Sequence, residues 1–376
     1  MGMGNLSEMP GLLDLGTRPR VLLSRTDRIG DVVLSLPVAV ALRKAYPAAR
    51  VDFLARKEAV PIVESQPAIS EVVRYDPTAD QEKLLSELVV RRYDAVICLF
   101  PRPILARAFA RAGIPVRIGT ARRWYSFRFT HRVKISRRTS GRHEKDLNLD
   151  LLGPLGIRPD YSLIPQLVVT LELGRAVSTD TLFSFRGQDH RPLVIIHPGD
   201  GGSAQNWSLE RYTQLAGLLL QDGVDVVITG VIGERERHLE AFLNVTPAEQ
   251  IMTGRTNLRQ LMAILAEANL FVGGSTGPLH IAAALGTPVV GLYGPIRTTT
   301  PDRWGPCGNG HTILVPDVPI CRCKVGSCKL GNCMDRVIVD HVLAACRNTL
   351  RRMMPGAGAL RPNETGRVSD LTSREA

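Results

Sequence analysis

Long apolar runs are missing from this chain of 376 residues, and no stretch approaches the ~18 uncharged apolar residues that a membrane-spanning helix needs. The start, Met1–Pro10, has no basic segment followed by an apolar core, so no secretory signal is read there. Neither a G-x-x-x-x-G-K loop nor a G-x-G-x-x-G turn follows the first apolar run, which removes the P-loop reading and weakens a dinucleotide one. No helix–turn–helix, RNP or zinc-finger pattern is found. Acidic side chains are also in deficit, 36 against 47 Lys and Arg, for a net charge of +11. That excess points to an anionic partner: nucleic acid, a membrane surface or an acidic small molecule. What is present is an ordinary globular composition, 44% apolar and 22% charged, which argues against disorder over most of the chain. At about 150 residues per domain the length suggests two domains.

The charge is concentrated. Between Arg102 and Lys145 stand 13 Lys or Arg residues and a single acid, Glu144, so the remainder of the chain is nearly neutral. The centre of this stripe, from Arg122, Arg123 and Trp124 to Phe127, Arg128 and Phe129, interleaves cations with aromatics. Three readings of it compete: stacking on nucleic-acid bases, contact with anionic headgroups, and the lining of a cleft for an acidic substrate. The fourth is a solvated basic face over a few core aromatics.

Short apolar runs alternate with helical patterns in two halves. Strands are expected at Arg20–Arg25, Val51–Ala55, Glu71–Tyr75, Ala95–Phe100 and Val116–Gly119, then again at Leu193–Ile196, Asp225–Thr229, Leu270–Gly273 and Val289–Tyr293. Helices are expected at Gln81–Arg92, Leu209–Gln221, Glu234–Leu243, Leu258–Ala268 and Leu279–Leu285. Such alternation argues for two doubly wound α/β domains, here 19–180 and 190–350, joined through Thr170–Arg191. Residues 1–18 read as a flexible N-terminus and 355–376 as a disordered tail.

In a parallel α/β sheet, ligands bind where strands end and helices begin. The front loop, Arg25-Thr26-Asp27-Arg28-Ile29-Gly30-Asp31, puts a carboxylate at such a point. Asp31 there either caps the helix or protrudes as a general base. Pro37, six residues on, calls for a kink or a late helix start. In the second half, His197-Pro198-Gly199 opens a Gly- and Ser-rich loop that ends at Trp207, with Ser208 expected to cap the next helix. Gly274-Ser275-Thr276-Gly277-Pro278-Leu279-His280 closes a strand and opens another helix. A Ser-Thr-Gly turn at a helix N-terminus offers amides and hydroxyls to a phosphate, so each loop reads as a phosphate-binding candidate.

Three stretches carry a resemblance to glycosyltransferase family 9, the bacterial heptosyltransferases of lipopolysaccharide core assembly. They are Arg25–Asp31, the His197–Trp207 loop, and Ser275–Pro288 continuing to Gly291-Leu292-Tyr293-Gly294-Pro295. The resemblance runs over about residues 20–345. It implies a GT-B fold: two Rossmann-like doubly wound domains facing across a cleft, acceptor on the first and sugar nucleotide on the second. It implies inverting transfer from an ADP-heptose donor without a metal or other cofactor. Asp31 matches the family's catalytic aspartate. Donor contacts implied are His197, Gly199, Gln205, Glu234 (ribose), Thr256 (adenine border), Ser275, Thr276, Gly277 and His280. Arg122, Arg123 and Arg128 are the acceptor-binding candidates, for an anionic lipid-linked glycan. The expected setting is cytoplasmic with peripheral contact to the inner membrane, and nucleic acid is not an expected partner.

The family usually has a lysine against the donor phosphate two residues before the tryptophan, where this chain has Gln205. Glutamine brings a hydrogen bond but no charge, so another cation must substitute, with Arg211 and Arg297 as candidates, or donor and activity differ. Four of the seven cysteines crowd together at Cys321, Cys323, Cys328 and Cys333. Their spacing is not the paired C-x2-C of most zinc sites, and a structural loop is read ahead of a metal site. Besides the glycosyltransferase, three readings stay open: a nucleic-acid binder using residues 102–145, an epimerase sharing the GT-B fold, and a non-catalytic relative.

Overall fold

The computed structural model describes residues 13–137, 141–169, 191–199, 205–323 and 332–353. The Thr170–Arg191 connection (but for Arg191), the 355–376 tail, most of the 1–18 segment and Cys328 lie outside the described residues.

Two wholly parallel sheets organise the chain. The first has the order β3-β2-β1-β4-β5-β6, built from Arg20–Ser24 (β1), Arg50–Arg56 (β2), Glu71–Tyr75 (β3), Ala95–Cys98 (β4), Val116–Thr120 (β5) and His131–Val133 (β6). The second has the order β11-β10-β9-β7-β8, from Leu193–His197 (β7), Asp225–Ile228 (β8), Leu270–Gly274 (β9), Val289–Leu292 (β10) and Thr312–Leu314 (β11). Central strands such as β1, β4 and β7 are unbroken apolar runs because helices cover both faces.

Strand order reverses between β1 and β4 in the first sheet and between β7 and β9 in the second. Doubly wound sheets open their ligand crevice at that point, outside the strands' carboxyl ends. The loops after β1, β4, β7 and β9 are therefore the ones the topology assigns to a site. The two crevices meet where the short helix Ile29–Val33 packs on the helix Gly277–Ala284. Glycine makes that approach feasible: a Cβ at Gly30 would lie 2.7 Å from the His280 ring, and one at Gly277 would lie 3.1 Å from Ile29. Val32, Val33 and Leu36 share one buried apolar cluster with Leu279, Ile281 and Tyr293, so the core runs from one half into the other.

The alternation read from the sequence is present, with adjusted ends. Pro37 takes the late start: the front helix stops at Val33 and a second runs Pro37–Ala45 with proline in its first turn. Strands β6 and β11, three residues each, were not expected, and neither was the helix Pro103–Arg111.

Candidate functional site

Arg25 follows β1 and is buried, with its side chain 2% exposed. A buried guanidinium needs acceptors for its N–H groups and counter-charges for its cation. It donates to both carboxylate oxygens of Asp27 (2.8 and 2.9 Å), to Asp31, to Glu144 Oε1 (3.1 Å) and to Asn148 Oδ1 (3.0 Å). Glu144 is itself held by Arg137 (2.8 Å) and, from the second half, by Arg303 (3.1 Å). Three carboxylates thus face three guanidiniums, and the cluster is balanced when Asp31 is ionised.

Asp31 does not cap its helix. Arg28 holds the N-cap position, and Asp31 sits in the first turn with its carboxylate on Arg25. Burial raises its carboxyl to about 7 against the pull of Arg25, with Asp27 and Glu144 adding to the rise. Burial pushes Glu144 the same way, but Arg25, Arg137 and Arg303 outweigh it and hold that carboxyl below its usual range. One acid is therefore a fixed counter-ion, and the other is poised to exchange a proton near neutral pH.

Opposite stand the loops of the second sheet. Thr276 is the N-cap of the helix Gly277–Ala284, so the helix's free N–H groups point into the cleft beside Ser275 and Gly277. His280 is buried against Gly30, and burial lowers its imidazole to about 3. It is neutral at physiological pH and can offer a hydrogen bond, not a charge. His197, lowered by burial to about 4, shares a 2.9 Å hydrogen bond with the Thr229 hydroxyl. Glu234 accepts from the Val231 amide at 3.0 Å, and its carboxylate closes over Gly199, where a Cβ would lie 2.6 Å from it.

Two cavities flank the helix contact. The larger, about 1020 Å³, is lined by His197, Gly199, Glu234, Thr256, Thr276 and Gly277 on the second half's side. The smaller, about 450 Å³, holds Asp31 together with Ser275, His280, Arg137 and Arg303. Asp27, Arg28, Gly30, Thr276 and Gly277 line both, so the two spaces meet beside Asp31.

Four of the sequence candidates lie elsewhere. Gln205 is 7% exposed, accepts from the Cys333 thiol at 3.1 Å and lines neither cavity. Arg122, Arg123 and Arg128 lie on the loop after β5, outside both linings. On that loop Tyr125 and Phe129 turn into the core, while Trp124 and Phe127 face solvent at 78% and 62% exposure, and Arg128 stacks on Phe127 at 5.0 Å. The Tyr125 hydroxyl donates to the Pro101 carbonyl (2.8 Å), which ties the loop to the β4 crevice segment Phe100–Arg102.

Sequence reasoning missed Arg25, Glu144, Arg137 and Arg303 as site residues. Their partners are up to 159 positions apart, and the one signal available was Glu144 as the lone acid of a basic stretch. No group of three or more metal-binding side chains occurs among the described residues, Cys321, Cys323 and Cys333 included.

The family model described as glycosyltransferase family 9 (heptosyltransferase) matches residues 82–334. The lipopolysaccharide heptosyltransferase 2 of Escherichia coli strain K12 is 25% identical over 308 residues, covering 78% of this chain and 87% of that one. Among solved structures, the glycosyl transferase family 9 protein from Veillonella parvula DSM 2008 superposes with a TM-score of 0.76 at 21% identity, over 89% of this chain and 97% of that one. The E. coli ADP-heptose lps heptosyltransferase II gives 0.74 at 23%, over 89% and 99%. The shared fold is the two-domain, Rossmann-like GT-B arrangement.

Proposed function

The chain belongs to glycosyltransferase family 9, the heptosyltransferase family, and on that premise we propose that it moves a heptose from ADP-heptose to an anionic, lipid-linked glycan of the lipopolysaccharide core. The observation that carries this reading is Asp31: a carboxyl raised to about 7, on the smaller cavity and beside the residues common to both. Names of relatives support the donor, since one of them is an ADP-heptose heptosyltransferase.

In this reading the nucleotide occupies the larger cavity. Glu234 meets the ribose, Thr256 borders the base, and the Ser275–Gly277 turn with its helix N-terminus meets the diphosphate. The acceptor hydroxyl enters the smaller cavity. Asp31 takes its proton as the oxygen attacks the anomeric carbon, the bond to the β-phosphate oxygen breaks, and the electron pair leaves on ADP. Attack from the face opposite the leaving group inverts the centre. Arg25 pulls the carboxyl towards its ionised form and aims it, and Arg137 and Arg303, held on Glu144, line the acceptor cavity beside it. No metal ion takes part in this route. We assign the reaction to the cytoplasmic side of the inner membrane, with peripheral contact through the exposed loop after β5.

A thermal-shift screen over ADP-, GDP-, UDP- and dTDP-sugars tests the donor. The ADP-sugar is expected to raise the unfolding midpoint by several degrees at saturating concentration through binding linkage. Stabilisation by one of the others alone contradicts the assignment.

A further inference from the structure

The missing lysine leaves the donor diphosphate short of a positive charge on the second half. Gln205 does not supply it, being packed under Cys333. Of the other second-half candidates, Arg211 donates to the Val337 carbonyl at 3.0 Å and lies 3.7 Å from Asp335, and Arg297 is exposed outside both cavities.

The first half carries what the second lacks. Arg28 follows β1, Arg56 ends β2 and Arg102 follows β4, so three neighbouring strands in the order β2-β1-β4 deliver three guanidiniums to one crevice. All three line the larger cavity, together with Thr276 and Gly277 of the phosphate turn. The other arginines of the site are spent on Asp27, Asp31 and Glu144. Arg28, Arg56 and Arg102, by contrast, form no ion pair among the described residues; the Nε atoms of Arg56 and Arg102, like that of Arg303, are buried without an acceptor, and the Arg102 guanidinium lies over the Phe100 ring at 5.2 Å. A buried N–H without a partner is costly, and a wall of unpaired guanidiniums is a strong attractor for phosphate oxygens. The acids on the same wall do not cancel it. Asp27 is paired with Arg25 and Glu234 lies 4.0 Å from Arg237, which leaves the exposed Glu58 against three guanidiniums.

We propose that in this chain the charge of the donor diphosphate is met from the first half, by Arg28, Arg56 and Arg102, across the cleft from the Ser275–Gly277 turn. This rests on the nucleotide reading of the larger cavity given above. Nucleotide binding then draws the two halves together, because the helix N-terminus is on one and the guanidiniums are on the other.

Calorimetric titration of the full chain with ADP and with adenosine, without acceptor and at two salt concentrations, tests it. Arg56→Gln and Arg102→Gln are each expected to weaken ADP about tenfold or more and adenosine less than twofold, and to flatten the salt dependence of ADP binding. Arg102→Lys should retain part of the affinity. ADP binding at the wild-type level in both glutamine variants overturns the proposal while leaving the donor reading intact. Equal losses for ADP and adenosine also overturn it, by making the role structural. A wild-type chain that binds no ADP at low salt overturns both.

Discussion

Asp31 is a carboxyl whose protonation is set by competition between burial and Arg25, and this gives two consequences with opposite value to the protein. In the proposed role as base the carboxylate must be ionised, so turnover is expected to fall as pH drops below about 7, and a pH–rate profile reads that limb. For stability, a folded-state pKa above the ordinary 3.8 means that the native state holds the proton more tightly than the unfolded chain. The contribution of this group is then most favourable below about pH 4 and is lost as pH rises through 7. Asp31→Asn is accordingly expected to be more stable than wild type at pH 8, by about 2–4 kcal/mol, and to lose that advantage towards pH 4; urea unfolding at the two pH values checks it. Glu144 behaves in the opposite way. Glu144→Gln strands Arg25, Arg137 and Arg303 beside too little negative charge, and a loss of about 3–5 kcal/mol is expected in the same assay. The places of Asp31 and the Ser275–Gly277 turn at the cleft were readable because each lies within a short local motif. The ion cluster was not, because its members come from loops that only the folded sheet brings together.

At the scale of elements, the decisive contact is one short helix against another, Ile29–Val33 on Gly277–Ala284. Gly30 and His280 are the close point of that contact. Gly30→Ala is expected to push the helices apart, at a cost of about 1–3 kcal/mol and at least a tenfold loss in turnover, since Asp31 is carried by the displaced helix. Chemical denaturation and steady-state rates would measure the two effects. The central strands were legible as apolar runs, and Pro37 marked its helix start. Strands β6 and β11 were not legible, because three residues are too few to show a period. Gln205 shows a different limit: its position in the chain pointed to the donor, but the thiol of Cys333, 128 residues on, captures its amide oxygen.

For the whole molecule, whose net charge is +11, nine of the arginines fall into three groups with different work. Arg25, Arg137 and Arg303 are internal counter-ions of Asp27, Asp31 and Glu144. Arg28, Arg56 and Arg102 line the cleft and form no ion pair among the described residues. Arg122, Arg123 and Arg128 surround two exposed aromatics on the loop after β5. Among the described residues no helix is long and apolar enough to cross a membrane, and an exposed cluster of cations and aromatics is a surface suited to anionic headgroups. Trp124→Ala combined with Phe127→Ala is expected to reduce co-flotation with vesicles containing anionic lipid at least fivefold, while transfer to a detergent-dispersed acceptor is retained. Unchanged flotation would remove this loop from the membrane reading. Sequence-tolerant binding of DNA or RNA at ~0.15 M salt would return it to the nucleic-acid one.

We propose heptose transfer with Asp31 as the base, and that assignment comes down to one comparison: release of ADP from ADP-heptose in the presence of a purified lipid-linked core acceptor, by wild type and by Asp31→Asn, with ADP affinity measured on both. Acceptor-dependent release by wild type is expected, with a loss of about 10³-fold or more in the variant and ADP binding within about twofold of wild type. Near-full turnover by Asp31→Asn, or no acceptor-dependent release by wild type, would contradict it.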